Sequence, residues 1–413
     1  MKAEEIRATA WPANQPHGME SELIRKTQLI LSLLTLGMCA YSLHAQAQAP
    51  NSNTELPSDG LGASTLLTMA LPDDSDARQE AQRRPGTVKV YWENDGAFHD
   101  PFDSYDRHYT NGFAIVLEHQ PTWAEDLAQS MPLSERFEQR HGETKTGAGY
   151  QLTQLIFTPA NLGAAGPITT DQPYGGILYG GVFWQREAQH EGRDDLAVLD
   201  HFEFNVGIVG EDSLAEDIQD WVHDSFMGVD PQGWDNQLAN EVTAQFHFRR
   251  KWRKDLDPIK SALLGDLEMQ VIPQAGFALG TVYRYGEAAV SFRIGQKLPD
   301  DFGPGRINDL QSVTGDPYKH TGWSWYAYGR AGGRVVEHDM FLDGSNYENS
   351  LGVDSEPLVG ELQAGFAVSY RPSMNHRFDL TWGLTFLTET FDAAGASGTE
   401  SYGTFVLSWT KSF

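Results

Sequence analysis

From Thr87 to Phe413 the chain alternates apolar and polar residues with a period of two, in segments separated by turn residues. Successive strand side chains point to opposite faces, so this pattern commits most of the chain to strands with two chemically different faces. The last segment is the clearest. Phe405, Leu407, Trp409 and Phe413 share one face, interrupted only by Lys411, while Tyr402, Thr404, Val406, Ser408, Thr410 and Ser412 share the other. Strands are expected at 87–95, 108–118, 149–157, 176–187, 199–209, 238–250, 264–280, 287–295, 321–336, 357–370, 376–391 and 401–413. No internal repeat is visible.

Two architectures accommodate such a chain: a soluble all-β protein and a transmembrane antiparallel β-barrel. No stretch of eighteen or more apolar residues is present, so helices do not span a membrane here. Eleven Trp, 15 Tyr and 21 Phe beside 41 Gly suit either architecture. The C-terminal Phe on an alternating aromatic strand favours the membrane barrel, because it resembles the assembly signal of bacterial outer-membrane barrels. A count near twelve is even, as single-chain barrels require. In 108–118 the expected outward face is Phe113, Ile115 and Leu117, with Thr110, Gly112 and Ala114 facing the lumen. Lys89, Glu118 and Arg334 are also expected in the lumen.

A membrane barrel requires export, and the N-terminus provides for it. Met19 is the expected start of a signal peptide, with Arg25 and Lys26 before the apolar run Leu29–Ala40 and Ala-Gln-Ala cleavage motifs at 45–47 and 47–49. Residues 1–49 are therefore read as extension and signal, 50–86 as a polar periplasmic leader, and 87–413 as the barrel. A single cysteine, Cys39, excludes a disulfide framework and a cysteine zinc site. The net charge of -27 argues against nucleic acid as a partner.

With both barrel ends in the periplasm, parity puts loops 96–107, 158–175, 210–237, 281–286 and 337–356 outside the cell. Segments 119–148 and 298–320 then fall on the periplasmic side, longer than such turns usually are. Within 210–237, Ser213 and Glu216 form an S-x-x-E capping box, predicting a helix from Ser213 to about Met227. Gln219 and His223 are four residues apart on it and share a face with Glu216. A loop histidine is ordinarily only solvated; this one has polar partners converging on it. A second polar cluster, Glu93-Asn94-Asp95 and Asp106-Arg107-His108-Tyr109-Thr110-Asn111-Gly112, flanks the first hairpin loop. Asn and Asp are common turn residues there, yet parity places Asn94, Asp95, Thr110 and His223 on one side of the membrane. The oxygens of Asp95 and Thr110 suit a hard cation such as calcium better than zinc. A neutral histidine beside such a cation can activate water for hydrolysis. A serine nucleophile is less supported, since no G-x-S-x-G elbow occurs.

These segments, with Ile156-Phe157-Thr158-Pro159, Asp171-Gln172-Pro173-Tyr174-Gly175-Gly176, Ser213–His223, Pro231–Gln237 and Phe341-Leu342-Asp343-Gly344, resemble the LpxR-type lipid A 3'-O-deacylase family of outer-membrane barrels. The resemblance covers roughly 87–413. It implies a twelve-stranded monomeric barrel in the bacterial outer membrane that hydrolyses the 3'-acyloxyacyl ester of lipid A in lipopolysaccharide. The implied mechanism resembles that of secreted phospholipase A2, with calcium as cofactor and His223 as the base. Asn94, Asp95, Thr110 and Gln219 would complete the catalytic shell. Asp95 and Thr110 would ligate the metal, with Asp230 the candidate for the acidic residue that the family uses shortly after the histidine. A barrel esterase acting on glycerophospholipid, and a non-catalytic lipid-binding or channel barrel, are the other readings. If 87–413 is a closed barrel, the folded protein will migrate differently in SDS before and after boiling. A circular dichroism spectrum dominated by helix would refute the barrel.

Overall fold

A computed structural model describes residues 85–96, 107–130, 144–190, 192–223, 231–261, 263, 265–312, 320–392 and 399–412. The expected signal peptide, almost all of the expected leader, and Asp230 lie outside the described residues. Twelve strands form one closed antiparallel barrel, each paired with its chain neighbours and β1 closing on β12. They are β1 (Pro85–Asn94), β2 (His108–His119), β3 (Thr144–Thr158), β4 (Gly175–Gln189), β5 (Leu196–Val209) and β6 (Glu241–Ser261). The second half contains β7 (Gly265–Gly280), β8 (Tyr283–Gln296), β9 (Gly322–Asp339), β10 (Leu358–Ser373), β11 (His376–Leu387) and β12 (Glu400–Ser412). Among the described residues three short α-helices lie outside the wall's ladder: α1 (Thr122–Ser130), α2 (Ala215–Val222) and α3 (Met340–Asp343). The largest departure from the expected strands is β6, which extends through the charged run after Arg250. There charged residues stand on both faces, Lys251, Arg253 and Asp255 on one and Lys254 on the other, and alternation no longer marks the strand.

The period of two becomes inside and outside. On β1, Thr87, Lys89, Tyr91 and Glu93 are buried in the lumen, while Trp92 is accessible from outside. Lys89 pairs with Glu118 of the neighbouring strand on the lumenal face at 2.6 Å. Outside, Trp323, Tyr370, Phe378 and Trp409 are consecutive cross-strand partners on β9 to β12 near the rim where β1 starts and β12 ends, the terminal rim of the barrel. All four are accessible, forming the aromatic girdle a barrel places at a membrane interface.

Eight strands leave an interior that side chains alone can fill, and sixteen or more leave a channel. Twelve strands fall between, and the β8–β9 connection fills the difference. It leaves the terminal rim and rises inside the barrel. Asp301 binds Arg293 at 2.5 Å, and Asp300 pairs with Arg253. Asp309 binds Lys251 at 2.7 Å and Arg330 at 3.2 Å, while Arg306 binds Glu361 at 2.7 Å. Ile307 and Leu310 pack into the lumenal apolar cluster with Tyr91 and Tyr109. At the tip, the Ile307 N–H donates to Glu93 Oε1 at 3.0 Å, close to the opposite rim. The unusual length of this periplasmic-side segment is therefore that of an inward plug. Wild-type protein in planar bilayers should show no open pore. Replacing residues 299–319 with a short Gly/Ser turn should produce stepwise conductance, and an equally silent variant would show that side chains alone close the lumen.

Candidate active site

Three residues at the loop rim join first. Asn94 Nδ2 donates to the Thr110 carbonyl at 3.0 Å, and the Asp95 N–H approaches the same oxygen at 3.4 Å. Asp95 Oδ2 accepts the Arg107 N–H at 2.6 Å, and Asn94 Oδ1 accepts the Gly96 N–H at 3.0 Å. Asn94 and Asp95 thus also do the turn work their residue types suggest.

Thr110 departs from its expected place. The β2–β3 register shifts between Tyr109 and Asn111, a bulge that inserts one residue and re-aims its neighbours. Tyr109 turns into the lumen, where its hydroxyl donates to Glu93 Oε2 at 2.7 Å. Gly112 still faces the lumen as expected, paired with Glu93. The Thr110 hydroxyl instead lies 2.6 Å from that of Thr158, and Thr158 follows lumenal Phe157, so it points outward. The lumenal assignment of Thr110 is corrected: uninterrupted alternation cannot anticipate a bulge. Asn94, next to lumenal Glu93 and paired with outward Asn111, is on the outer wall as well.

Helix α2 covers that wall. Gln154, Ile156 and Thr158 of β3 and Gly176 of β4 have outward parity, yet Gln154, Ile156 and Thr158 are buried. Gln154 Nε2 donates to the Ser213 carbonyl at 2.7 Å, and Ile156 packs with Tyr174, Ala215 and Trp234. A Cβ on Gly176 would sit 2.1 Å from the Ala215 Cβ, so the helix can approach only over glycine. The helix departs from its expected start. Glu211–Ser213 forms a 3-10 turn, Leu214 adopts φ 62° as N-cap, and no side chain caps the helix. The Ser213 hydroxyl is turned toward Gly176 and makes no hydrogen bond among the described residues. The capping box therefore does not form, because wall contact takes the serine from the helix end. Residues 224–227 of the expected helix lie outside the described residues.

Gln219 and His223 are each 3 % exposed. Gln219 Oε1 accepts the Trp234 indole N–H at 3.0 Å, tying the helix to the 3-10 turn Trp234–Asn236. His223 follows Val222 as the C-cap. The structure thus unites Asn94, Asp95 and Thr110 by hydrogen bonds, and sets Gln219 and His223 on the helix over the same wall at the same rim. No cluster of three or more His, Cys, Asp or Glu able to hold a metal occurs among the described residues. The oxygens of Asp95, Thr110 and Thr158 are hard donors that fit calcium better than zinc.

Two further groups belong to this neighbourhood. His108 Nε2 lies 3.1 Å from Asp171 Oδ1. Burial works to raise the Asp171 carboxyl, but the His108 ring and the Ala160 and Gln172 N–H groups outweigh it and hold it below the usual carboxylate range. On α2, burial and then neighbouring Asp220, Asp217, Asp235 and Glu211 raise the Glu216 carboxyl. Thr158 and Asp171 lie in segments that carry the resemblance, but their contacts with Thr110 and His108 join residues 48 and 63 positions apart, and no sequence spacing reveals them. The adjacent glycines at 175–176 were the available sign of a close approach. A cavity of about 290 Å³ at the terminal rim, lined by Gln270, Arg371 and Arg377, lies away from the whole cluster.

A family model described as outer membrane protein LpxR matches residues 61–411. The structure of LpxR from Salmonella typhimurium superposes with a TM-score of 0.57 and 16% identity, covering 79% of this chain and 100% of that one. The β domain of the Bordetella autotransporter BrkA, at 10% identity and covering 80% and 98% of the two chains, reaches only 0.40. No curated protein sequence matches. Gly176→Val should overpack the wall–helix contact by about 1–3 kcal/mol. Exchange protection of α2 amides should fall while heat-modifiability in SDS persists; unchanged protection would show that the helix does not depend on this contact.

Proposed function

The chain belongs to the LpxR family of outer-membrane proteins, and on that premise we propose that it is a lipid A deacylase hydrolysing the 3'-acyloxyacyl ester. One observation carries the reading: the polar cluster is on the outer face of the wall. That face otherwise presents residues such as Trp92, Phe113, Phe204 and Phe292. Polar groups facing lipid are costly unless they are covered and paired, and their presence marks function. A lipid ester can reach this face laterally, without entering the lumen. The lumenal plug counts against the channel reading.

His223 would accept a proton from water at an imidazole nitrogen as that water attacks the ester carbonyl. Asn94 and the Thr110–Thr158 hydroxyl pair would orient polar atoms of the substrate, and Gln219 would fix the helix through Trp234. Asp95 and Thr110 would hold calcium, with Asp230 as an additional acidic candidate. When bound, calcium supplies positive charge at the developing oxyanion. With a single described carboxylate at this point, backbone, water and lipid oxygens would complete its shell.

His223→Ala should lower deacylation by on the order of a hundredfold to ten-thousandfold, with the barrel still heat-modifiable. Mass spectrometry of lipid A from cells carrying wild type should show loss of the 3'-acyloxyacyl substituent, absent with the variant. A strong chelator should abolish hydrolysis and calcium restore it. Fatty acid release from glycerophospholipid with intact lipid A would favour the esterase reading. Full activity in His223→Ala would remove the histidine from the chemistry, and activity surviving exhaustive chelation would remove calcium.

A further inference from the structure

His108, the first residue of β2, has φ 60°. Side chains other than glycine rarely occupy this left-handed region, and where they do the surroundings must hold them there. Here the surroundings are explicit. The imidazole is 1 % exposed. Its Nε2 is on Asp171 Oδ1 at 3.1 Å, and Asp171 is itself fixed by the N–H of Ala160 at 2.9 Å and of Gln172 at 2.8 Å. Phe391 meets the ring edge-on at 5.0 Å and 84°. An anionic carboxylate only accepts, so the hydrogen of this contact belongs to Nε2. Nδ1 is buried with no hydrogen bond among the described residues.

The next two residues carry the consequence. Without the extra residue of the bulge, Thr110 would face the lumen beside Gly112 and Tyr109 would face outward. With it, the Tyr109 hydroxyl reaches Glu93 and the Thr110 hydroxyl reaches Thr158 on the outer wall. The left-handed residue His108 stands directly before the register shift between Tyr109 and Asn111, and the Asp171 contact is the polar bond that holds its ring.

We propose that His108 and Asp171 form a positioning pair that keeps the β2 bulge in place and so holds Thr110 on the outer wall. The proposal rests on the deacylase reading for its kinetic arm, so the test has a second arm independent of activity. His108→Ala and Asp171→Ala should each lower kcat roughly tenfold with little change in KM, as expected for coupled neighbours. His108→Gln, whose amide can replace Nε2 as donor to Asp171, should restore most of the loss. In a Thr110→Ala background, His108→Ala should cost nothing further, because its effect passes through Thr110. In detergent micelles, methyl NMR of labelled threonine should show the Thr110 and Thr158 signals displaced by His108→Ala and returned by His108→Gln. Multiplying losses in the double variant, or unmoved methyl signals in His108→Ala, would overturn the proposal. If wild type releases no fatty acid from lipid A, the deacylase reading falls and the methyl signals alone decide the positioning pair.

Discussion

Inside a bilayer no water is available to a backbone N–H or carbonyl, and an unpaired group there costs several kcal/mol. A wall of strands meets that condition only by closing on itself. The pairing of β1 with β12, from Pro85↔Ser412 to Asn94↔Gly403, completes the ladder. Closure then imposes two environments on every strand, and the side-chain alternation follows from them. It also creates an interior too wide for side chains alone, which the β8–β9 segment fills. The charged residues that fill this space are matched: Lys251 and Arg330 meet Asp309, Arg293 meets Asp301, and Arg306 meets Glu361. A buried charge is tolerable only when paired, so the plug and the wall specify each other.

The candidate site is where the two-environment rule is broken, and each break has its compensation. Gln154 and Thr158 point outward without facing lipid, because α2 and Trp234 lie over them. The helix can lie there because Gly176 has no side chain and because Gln154 and Gln219 tie its two ends to the wall and to Trp234. The bulge in β2 sends the Thr110 hydroxyl out and brings the Tyr109 hydroxyl in. On the lumenal side, Tyr109 meets Glu93, which the plug tip also holds. The two faces of β1 are therefore supported from opposite sides: Glu93 from the lumen and Asn94 from the outer cluster.

Much of this was legible in the sequence, and for a physical reason. Alternation reports the contrast between lumen and lipid directly, so all twelve strands, the outward row Phe113, Ile115 and Leu117, and the lumenal Lys89 and Glu118 follow from local pattern. The aromatic final strand pointed to a membrane, and ordered motifs pointed to the family. What alternation cannot convey is a residue that breaks it. Alternation puts Thr110 on the wrong face because one inserted residue in β2 changes parity. Ser213 and Glu216 had the spacing of a capping box, but the serine is turned toward the β4 wall.

The sequence by itself determined the architecture, the strand pattern and the polar residues gathered at one rim, because each is written in contacts between near neighbours or in periodicity. Only the tertiary structure decided which side of the wall those residues occupy. That choice depends on the bulge at Thr110, on the close approach over Gly176, and on a plug that rises from the opposite rim to Glu93. These are contacts between segments far apart in the chain, and no local spacing encodes them.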